Sequence, residues 1–154
     1  MPPREVPVIG ALIVTHGNLA HELLNAARQI EADVSGMVAV PLDWNDTVDE
    51  AREKIAGGLA EIGPKRDVII FTDMFGGTPS NISLSFLEQG HVEIVTGVNL
   101  PMLIKAASLK DTASLIDIAR TLREHGRNAI WVASDLLSGT PDAPEAPDAP
   151  AKKA

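Results

Sequence analysis

The chain contains no cysteine, and only three Phe and two Trp among its 154 residues are aromatic. The missing cysteines exclude disulfides, cysteine nucleophiles and thiolate metal sites. Long hydrophobic runs are missing too, since the longest, residues 8–14, is far shorter than the roughly 20 residues that a membrane-spanning helix needs. Residues 1–7 contain no apolar signal segment. These absences predict a cytoplasmic protein that is not embedded in a membrane.

Basic residues are few compared with acidic ones. The 13 Lys and Arg against 21 Asp and Glu give a formal net charge of −8. A polyanion repels the phosphate backbone, so generic binding of nucleic acid is disfavoured. What the chain does contain is 45% hydrophobic residues over a length typical of one domain, which suffices for a buried core.

The two ends of the chain differ in composition from the rest. Residues 1–6 are short and polar, and from Ser138 onward an acidic triplet repeat places a proline at every third residue over 142–150. Such a composition favours an extended, solvated chain that buries too little to fold. We therefore predict an N-terminal extension at 1–6, one domain at 7–137 and a disordered tail at 138–154.

Between the ends, short apolar runs alternate with segments of helical period. This alternation predicts an α/β fold with a mostly parallel sheet covered by helices on both faces. Asp46 and Thr78 are the predicted N-caps of two helices, and Gly126 is the predicted end of the last one. The predicted strands are residues 8–15, 37–42, 67–72, 92–95 and 129–133, and the last two predicted helices are 100–109 and 115–122.

Polar side chains stand at the predicted carboxyl ends of two strands. His16 follows the first strand and Asp73 follows the third. Ligands of parallel sheets bind at this edge. If the two strands are neighbours, the Asp73 carboxylate accepts a hydrogen bond from the imidazole Nδ1, which fixes the tautomer and leaves Nε2 unprotonated. Such an imidazole is a nucleophile.

A glycine turn follows the acid. Gly76, Gly77 and Thr78 expose backbone N–H groups at the start of a predicted helix, an arrangement that favours anions and suits phosphate. No Walker lysine motif or dinucleotide glycine motif follows the first strand, so a nucleotide site has little support. Taken singly, these features are better explained by a structural histidine and by a capped turn. Together at one edge of the sheet, they support a histidine that carries a phosphoryl group as well as they support the structural interpretation.

Further residues of the same loops form the predicted rim of this pocket. Trp44 lines the pocket, contacts a partner protein or belongs to the core, and the sequence leaves these three open. No cluster of ligands indicates a metal, and no cofactor is predicted. His125, in the last turn of a helix, is predicted to have a structural role in which positive charge favours the dipole. The predicted rim residues are Thr15, Gly17, Trp44, Phe75, Asn99 and Pro101.

Three separated motifs resemble one family in the same order along the chain: Thr15-His16-Gly17, Asp73 with the turn up to Asn81, and Gly97-Val98-Asn99-Leu100-Pro101-Met102. They are similar to the mannose-type enzyme IIA of the bacterial phosphoenolpyruvate-dependent sugar phosphotransferase system. The resemblance covers roughly residues 7–134. It implies a doubly wound three-layer sandwich of four parallel strands plus one antiparallel strand, residues 129–133, exchanged within a homodimer.

The resemblance also implies a function. A histidine phosphocarrier protein donates phosphate to His16, Asp73 orients the imidazole, and Gly76, Gly77 and Thr78 hold the phosphate. The phosphate then passes to an enzyme IIB or to a regulatory protein. Phe75 stands where the family often has Trp, and Thr78 stands where Ser is frequent.

Two other functions remain open from the sequence. One is the phosphocarrier subunit of a dihydroxyacetone kinase, which shares the histidine after the first strand. The other is a regulatory protein that binds its partner according to its phosphorylation state. The sequence does not identify a sugar.

Overall fold

A parallel β-sheet lies at the centre of the molecule. The computed structural model of the chain describes residues 9–31, 33–109 and 113–138. Its strands are β1 (Ile9–His16), β2 (Met37–Leu42), β3 (Asp67–Thr72) and β4 (Val92–Thr96), in the order β2-β1-β3-β4. The register sets Val14 opposite both Val40 and Thr72. The carboxyl ends of β1, β2 and β3 therefore lie at one edge of the sheet.

Helices connect the strands. Those of the described residues are α1 (Leu19–Ile30), α2 (Val48–Ile62), α3 (Thr78–Ser83), a short 3₁₀-helix (Leu84–Phe86), α4 (Leu100–Ser108), α5 (Leu115–Asn128) and α6 (Ala133–Ser138). In this part of the chain, no helix combines the length and the apolar character that a bilayer span requires.

Both faces of the sheet are covered by helices. On one face, β1 and β3 pack with α1, α4 and α5 through side chains such as Phe71, Leu103 and Leu122. On the other face they pack with α2 and α3 through Ile55 and Ile82. Burial on both sides explains the continuous apolar runs of β1 and β3. The predicted doubly wound α/β sandwich with four parallel strands is confirmed.

The predicted cap of α2 is wrong by one residue. Thr47 is the N-cap: its hydroxyl oxygen accepts a hydrogen bond from the Glu50 backbone N–H at 3.1 Å, and the Glu50 carboxylate accepts one from the Thr47 N–H at 3.0 Å. This reciprocal capping box provides acceptors for two backbone N–H groups, whereas a single Asp side chain at the N-cap would provide an acceptor for only one of them. Asp46 instead accepts a hydrogen bond from the Lys54 ammonium at 2.6 Å.

Two further helix ends differ from the prediction. Thr78 is the first residue of α3 and Gly77 is its N-cap, without a side-chain cap bond. Helix α5 continues through Gly126 to Asn128. A Cβ atom on Gly126 would lie 2.5 Å from Cε of Met102. Gly126 therefore leaves room for the Met102 side chain where α5 packs on α4, and it lies within the helix rather than at its end.

The predicted fifth strand, residues 129–133, is wrong for the single chain. Residues 129–132 belong to no strand, and α6 begins at Ala133. The N–H groups of Ala129 and Ile130 donate to the carbonyls of Gly126 and Arg127, both at 3.3 Å. These donors therefore close turns at the end of α5 instead of joining a ladder.

The predicted terminal segments lie almost wholly outside the described residues. Residues 1–6 fall there, as does the tail after Ser138, which is the last residue of α6. The division into an extension, a domain and a tail stays a prediction.

Candidate active site

His16 and Asp73 meet at the carboxyl edge of the sheet. Because β1 and β3 are adjacent and parallel, the last residue of β1 lies next to the first residue after β3. Oδ2 of Asp73 is 2.8 Å from Nδ1 of His16 and accepts the His16 backbone N–H at 3.0 Å. A carboxylate is an acceptor, so in the neutral imidazole this contact selects the tautomer that has its proton on Nδ1 and its lone pair on Nε2.

The other carboxylate oxygen of Asp73 is also bonded. Oδ1 accepts the backbone N–H of Met74 at 3.0 Å. The two side chains keep limited contact with solvent, with exposed fractions of 22% for His16 and 13% for Asp73. The sequence does not reveal this role of the Met74 N–H, because a backbone donor leaves no signal in the residue type. The carboxylate is thereby held in one orientation toward the imidazole.

The glycine turn lies against the opposite edge of the imidazole. A Cβ atom on Gly77 would be 2.6 Å from Cε1 and 3.1 Å from Nε2 of His16. Gly76 adopts φ +86°, a left-handed conformation that glycine reaches without strain. The turn leads into α3, whose first-turn N–H groups have no acceptor within the helix. The structure thus brings Gly77 close to Cε1 and Nε2 of His16, and Gly76 and Thr78 are its neighbours in the turn.

Thr15 and Gly17 flank the histidine but are bonded inward. The fully buried hydroxyl of Thr15 accepts the Ala20 N–H at 2.8 Å and donates to the Gly17 carbonyl at 3.2 Å. The Gly17 N–H donates to the carbonyl of Leu42 at 2.7 Å. Thr15 therefore lies beneath the predicted rim, where it joins the end of β1 to the start of α1.

Two aromatic rim residues are exposed beside the site. Trp44 follows β2, and its ring is stacked on that of His16, with centroids 5.1 Å apart and an interplanar angle of 29°. Its exposed fraction is 80%, and that of Phe75 is 74%. Of the three roles left open for Trp44, these values exclude a place in the core.

Asn99 and Pro101 lie in the β4–α4 connection. The side chain of Asn99 accepts the Met102 N–H at 3.1 Å and donates to the Gly126 carbonyl at 2.9 Å, so it caps α4 and joins it to α5. Pro101 is in the first turn of α4. The same connection contacts the end of β3, because the N–H groups of Gly97 and Val98 both donate to the Thr72 carbonyl at 3.0 Å. The structure places both residues in a helix start, with Asn99 bonded away from His16.

The remaining histidines lie away from this contact. His21 is exposed on α1. His91 pairs with Asp67 at 3.3 Å at the amino end of β3. Burial first, and then the positive charge of Lys105, lowers the pKa of His125. The predicted favourable effect of the helix dipole on a positive charge at His125 stays a prediction. Among residues 9–31, 33–109 and 113–138, no three His, Asp or Glu side chains converge in a way that would hold a metal ion.

Comparisons with known proteins identify the family of the chain. The chain matches the EIIA-man family, described as the PTS system fructose IIA component, over residues 10–123. It is 29% identical over 131 residues to the PTS system fructose-specific EIIA component of Bacillus subtilis (strain 168), covering 84% of this chain and 90% of that protein. It is also 28% identical over 124 residues to the PTS system mannose-specific EIIAB component of Escherichia coli (strain K12).

The Escherichia coli match covers 79% of this chain and 38% of that longer protein. A solved structure, the mannose/sorbose specific IIA subunit of the phosphotransferase system from Enterococcus faecalis, has a TM-score of 0.73 at 25% identity and covers 80% of this chain and 93% of its own. The family match spans most of the chain and includes His16, Asp73 and the turn that follows. The chain therefore belongs to the EIIA-man family, the mannose- and fructose-type enzyme IIA components of the sugar phosphotransferase system.

Proposed function

We propose that this chain is a phosphoryl relay in which Nε2 of His16 is the acceptor atom. The observation that supports it most strongly is the 2.8 Å contact between Nδ1 of His16 and the Asp73 carboxylate. That contact puts the proton of the imidazole on Nδ1 and leaves the lone pair on Nε2. The donor is a histidine phosphocarrier protein, as in the family to which the chain belongs.

The transfer moves one phosphoryl group between two nitrogen atoms. The lone pair of Nε2 forms a bond to phosphorus while the P–N bond of the donor phosphohistidine breaks, and its electron pair leaves with the donor nitrogen. The Nδ1 proton stays in the hydrogen bond to Asp73, whose charge offsets the positive charge that develops on the ring. N–H groups of the turn at Gly77 stabilise the phosphoryl oxygens.

For the acceptor we propose an enzyme IIB. The Escherichia coli relative is an EIIAB component, and this chain matches 38% of its length. The reverse of the same reaction passes the phosphoryl group on, because Nε2 of His16 is then the leaving atom. The acceptor is tested by adding an enzyme IIB, a dihydroxyacetone kinase or a regulatory protein to the phosphorylated chain. The protein that removes the phosphoryl label from His16 is the acceptor.

We further propose a homodimer that is completed by strand exchange along β4. Beside the outer edge of β4 lies a groove of about 380 Å³ lined by Ile94, Thr96 and Ile116. Within the described residues, Nε1 of Trp131 is buried without a hydrogen-bond partner, which is costly unless another chain supplies one. Residues 129–133 of a second copy fit this edge as an antiparallel strand, since an open edge is a template for pairing.

Mapping the phosphorylated residue tests the relay. The full chain is incubated with phosphoenolpyruvate, enzyme I and the phosphocarrier protein, and the modified residue is located by mass spectrometry under neutral conditions. We expect one acid-labile phosphoryl group on His16, absent from His16→Ala and retained in His91→Ala, which alters the other Asp–His pair. Label that persists in His16→Ala contradicts the proposal.

A further inference from the structure

Trp44 is held in solvent at the active-site edge. Its exposed fraction is 80%, so most of the apolar surface that usually makes a buried tryptophan stabilising remains in contact with water. The contact it makes there is with the acceptor histidine, at a ring separation of 5.1 Å. A Cβ atom on Gly17 would lie 3.9 Å from the indole Nε1, so the indole covers the residue next to His16 as well.

The loop that carries Trp44 is closed by its own hydrogen bonds. The Asp43 N–H donates to the Asp46 carboxylate at 2.8 Å, and the Asn45 N–H donates to the Asp43 carboxylate at 3.0 Å. The hydrogen bond from Lys54, followed by the Asp43 N–H bond, lowers the pKa of Asp46 and keeps it ionised. These hydrogen bonds restrain the backbone on both sides of Trp44.

Two further contacts restrain the imidazole. Asp73 holds Nδ1, and Gly77 lies close to Cε1 and Nε2. A hydrogen bond at a single ring nitrogen tolerates a tilt of the ring plane about that nitrogen. A second ring packed on the face opposes such a tilt, and the 29° angle between His16 and Trp44 is that of a stack.

We propose that Trp44 is a positioning residue for phosphoryl transfer, whose stacked indole holds the imidazole of His16 in the plane in which Nε2 faces the Gly77 turn. This inference rests on the proposed function, because it needs His16 as the acceptor. It differs from a role in binding the donor protein, which an exposed tryptophan also suits. The two roles separate when the donor is too small to have a docking surface.

Phosphoramidate is such a donor. Nε2 of His16 forms the bond to phosphorus, the P–N bond of phosphoramidate breaks, and the nitrogen takes up a proton and leaves as ammonia. A docking residue has no effect on the rate of this reaction, whereas a residue that orients the imidazole does. The rate of phosphohistidine formation on the full chain is measured for the wild type, Trp44→Ala, Trp44→Phe and Val48→Ala.

Val48→Ala is the matched control. Val48 is the first residue of α2, directly beyond the loop, and its exposed fraction is 57%. We expect Trp44→Ala to react about threefold to tenfold more slowly than the wild type, Trp44→Phe to recover most of the rate because it retains an aromatic ring, and Val48→Ala to match the wild type. In NMR spectra, the ring-proton resonances of His16 lose their upfield ring-current shift in Trp44→Ala and keep part of it in Trp44→Phe.

The outcomes separate this inference from the proposed function. If the wild type gains no phosphoryl group on His16 from either phosphoramidate or the phosphocarrier protein, the proposed function fails. If the wild type is labelled on His16 and Trp44→Ala is labelled equally fast by phosphoramidate, the positioning role is overturned. In that case, a raised KM of Trp44→Ala for the phosphocarrier protein would assign Trp44 to donor binding instead.

Discussion

At the scale of single residues, the site depends on how completely Asp73 is bonded. Its two oxygens accept three N–H donors, one from Met74 and two from His16. Each bond to a charged acceptor is stronger than one between neutral groups. In the proposed relay, the carboxylate therefore both orients the imidazole and offsets the positive charge that forms on it during transfer.

Asp73→Asn is expected to slow phosphorylation of His16 about tenfold to a hundredfold while leaving the fold intact. An amide has one acceptor oxygen, so the bonds to His16 or the bond to Met74 are lost, and the negative charge is lost in either case. The rate is measured with the phosphocarrier protein, and thermal unfolding reports on the fold. Asp67→Asn, in the comparable pair with His91, is the control and keeps the wild-type rate. A wild-type rate for Asp73→Asn would contradict the role of this carboxylate.

Gly77→Ala is expected to lower the same rate by about tenfold to a hundredfold, because the new methyl group would lie 2.6 Å from Cε1 of His16 and displace the ring. The backbone at Gly77 has φ −84° and ψ 169°, which alanine adopts without strain, so the clash is the main effect. As a control, Gly57→Ala meets nothing within 4 Å. It stabilises α2 by about 0.5–1 kcal/mol and leaves the rate unchanged. Equal rates for the two variants would show that the turn does not restrain His16.

At the scale of helices and strands, the sequence predicts what depends on local pattern. The strands at residues 37–42 and 67–72 have their predicted bounds, because each continuous apolar run ends where polar residues begin. The contact of His16 with Asp73 is likewise predictable, since the carboxyl ends of neighbouring parallel strands converge. The sequence predicts Gly126 as a helix end and does not reveal its packing role, because its close neighbours, Met102 and Asn99, come from α4 and its N-cap. The stack of Trp44 on His16 depends on the path of a loop, which periodicity does not describe.

The packing of α4 on α5 predicts a pH dependence of stability. Because the pKa of His125 is lowered below 6.5 in the folded chain, first by burial and then by Lys105, the unfolded chain binds more protons just below that pH. Stability therefore falls as the pH decreases below 6.5 and is constant, for this group, above it. We expect His125→Gln to lose less stability than the wild type between about pH 7.5 and about pH 5.5.

Urea unfolding at the two pH values measures the difference. Lys105→Met is the control: it removes the second cause and leaves burial, so its pH dependence lies between those of the wild type and His125→Gln. An identical pH dependence in the wild type and His125→Gln would show that His125 is equally easy to protonate in both states.

At the scale of the whole molecule, one edge of the sheet, the outer side of β4, has no neighbouring strand within the described residues. β4 pairs with β3 on one side, and its other side borders the groove beside α5. Ile130 and Val132 have exposed fractions of 71% and 63%, and they alternate with Trp131 as the residues of a strand would. The proposed exchange of residues 129–133 between two copies is predicted by the family resemblance alone. The pairing partner of an exchanged strand belongs to another molecule, so it leaves no local pattern in the sequence.

Val132→Asp is expected to convert a dimer into a monomer. In the single chain this side chain is largely in solvent, so the substitution changes the stability of the monomer little. In an exchanged strand along β4, the side chain borders the other copy, and a carboxylate there is desolvated without a partner. Light scattering during size exclusion gives the mass of the wild type, Val132→Asp and Ile30→Asp. Ile30→Asp is the control, because it also places a carboxylate at an exposed apolar position, here on α1 with an exposed fraction of 52%. If the strand is exchanged, the wild type and Ile30→Asp are dimers and Val132→Asp is a monomer. A monomeric wild type, or dimers of all three proteins, would exclude this mode of assembly.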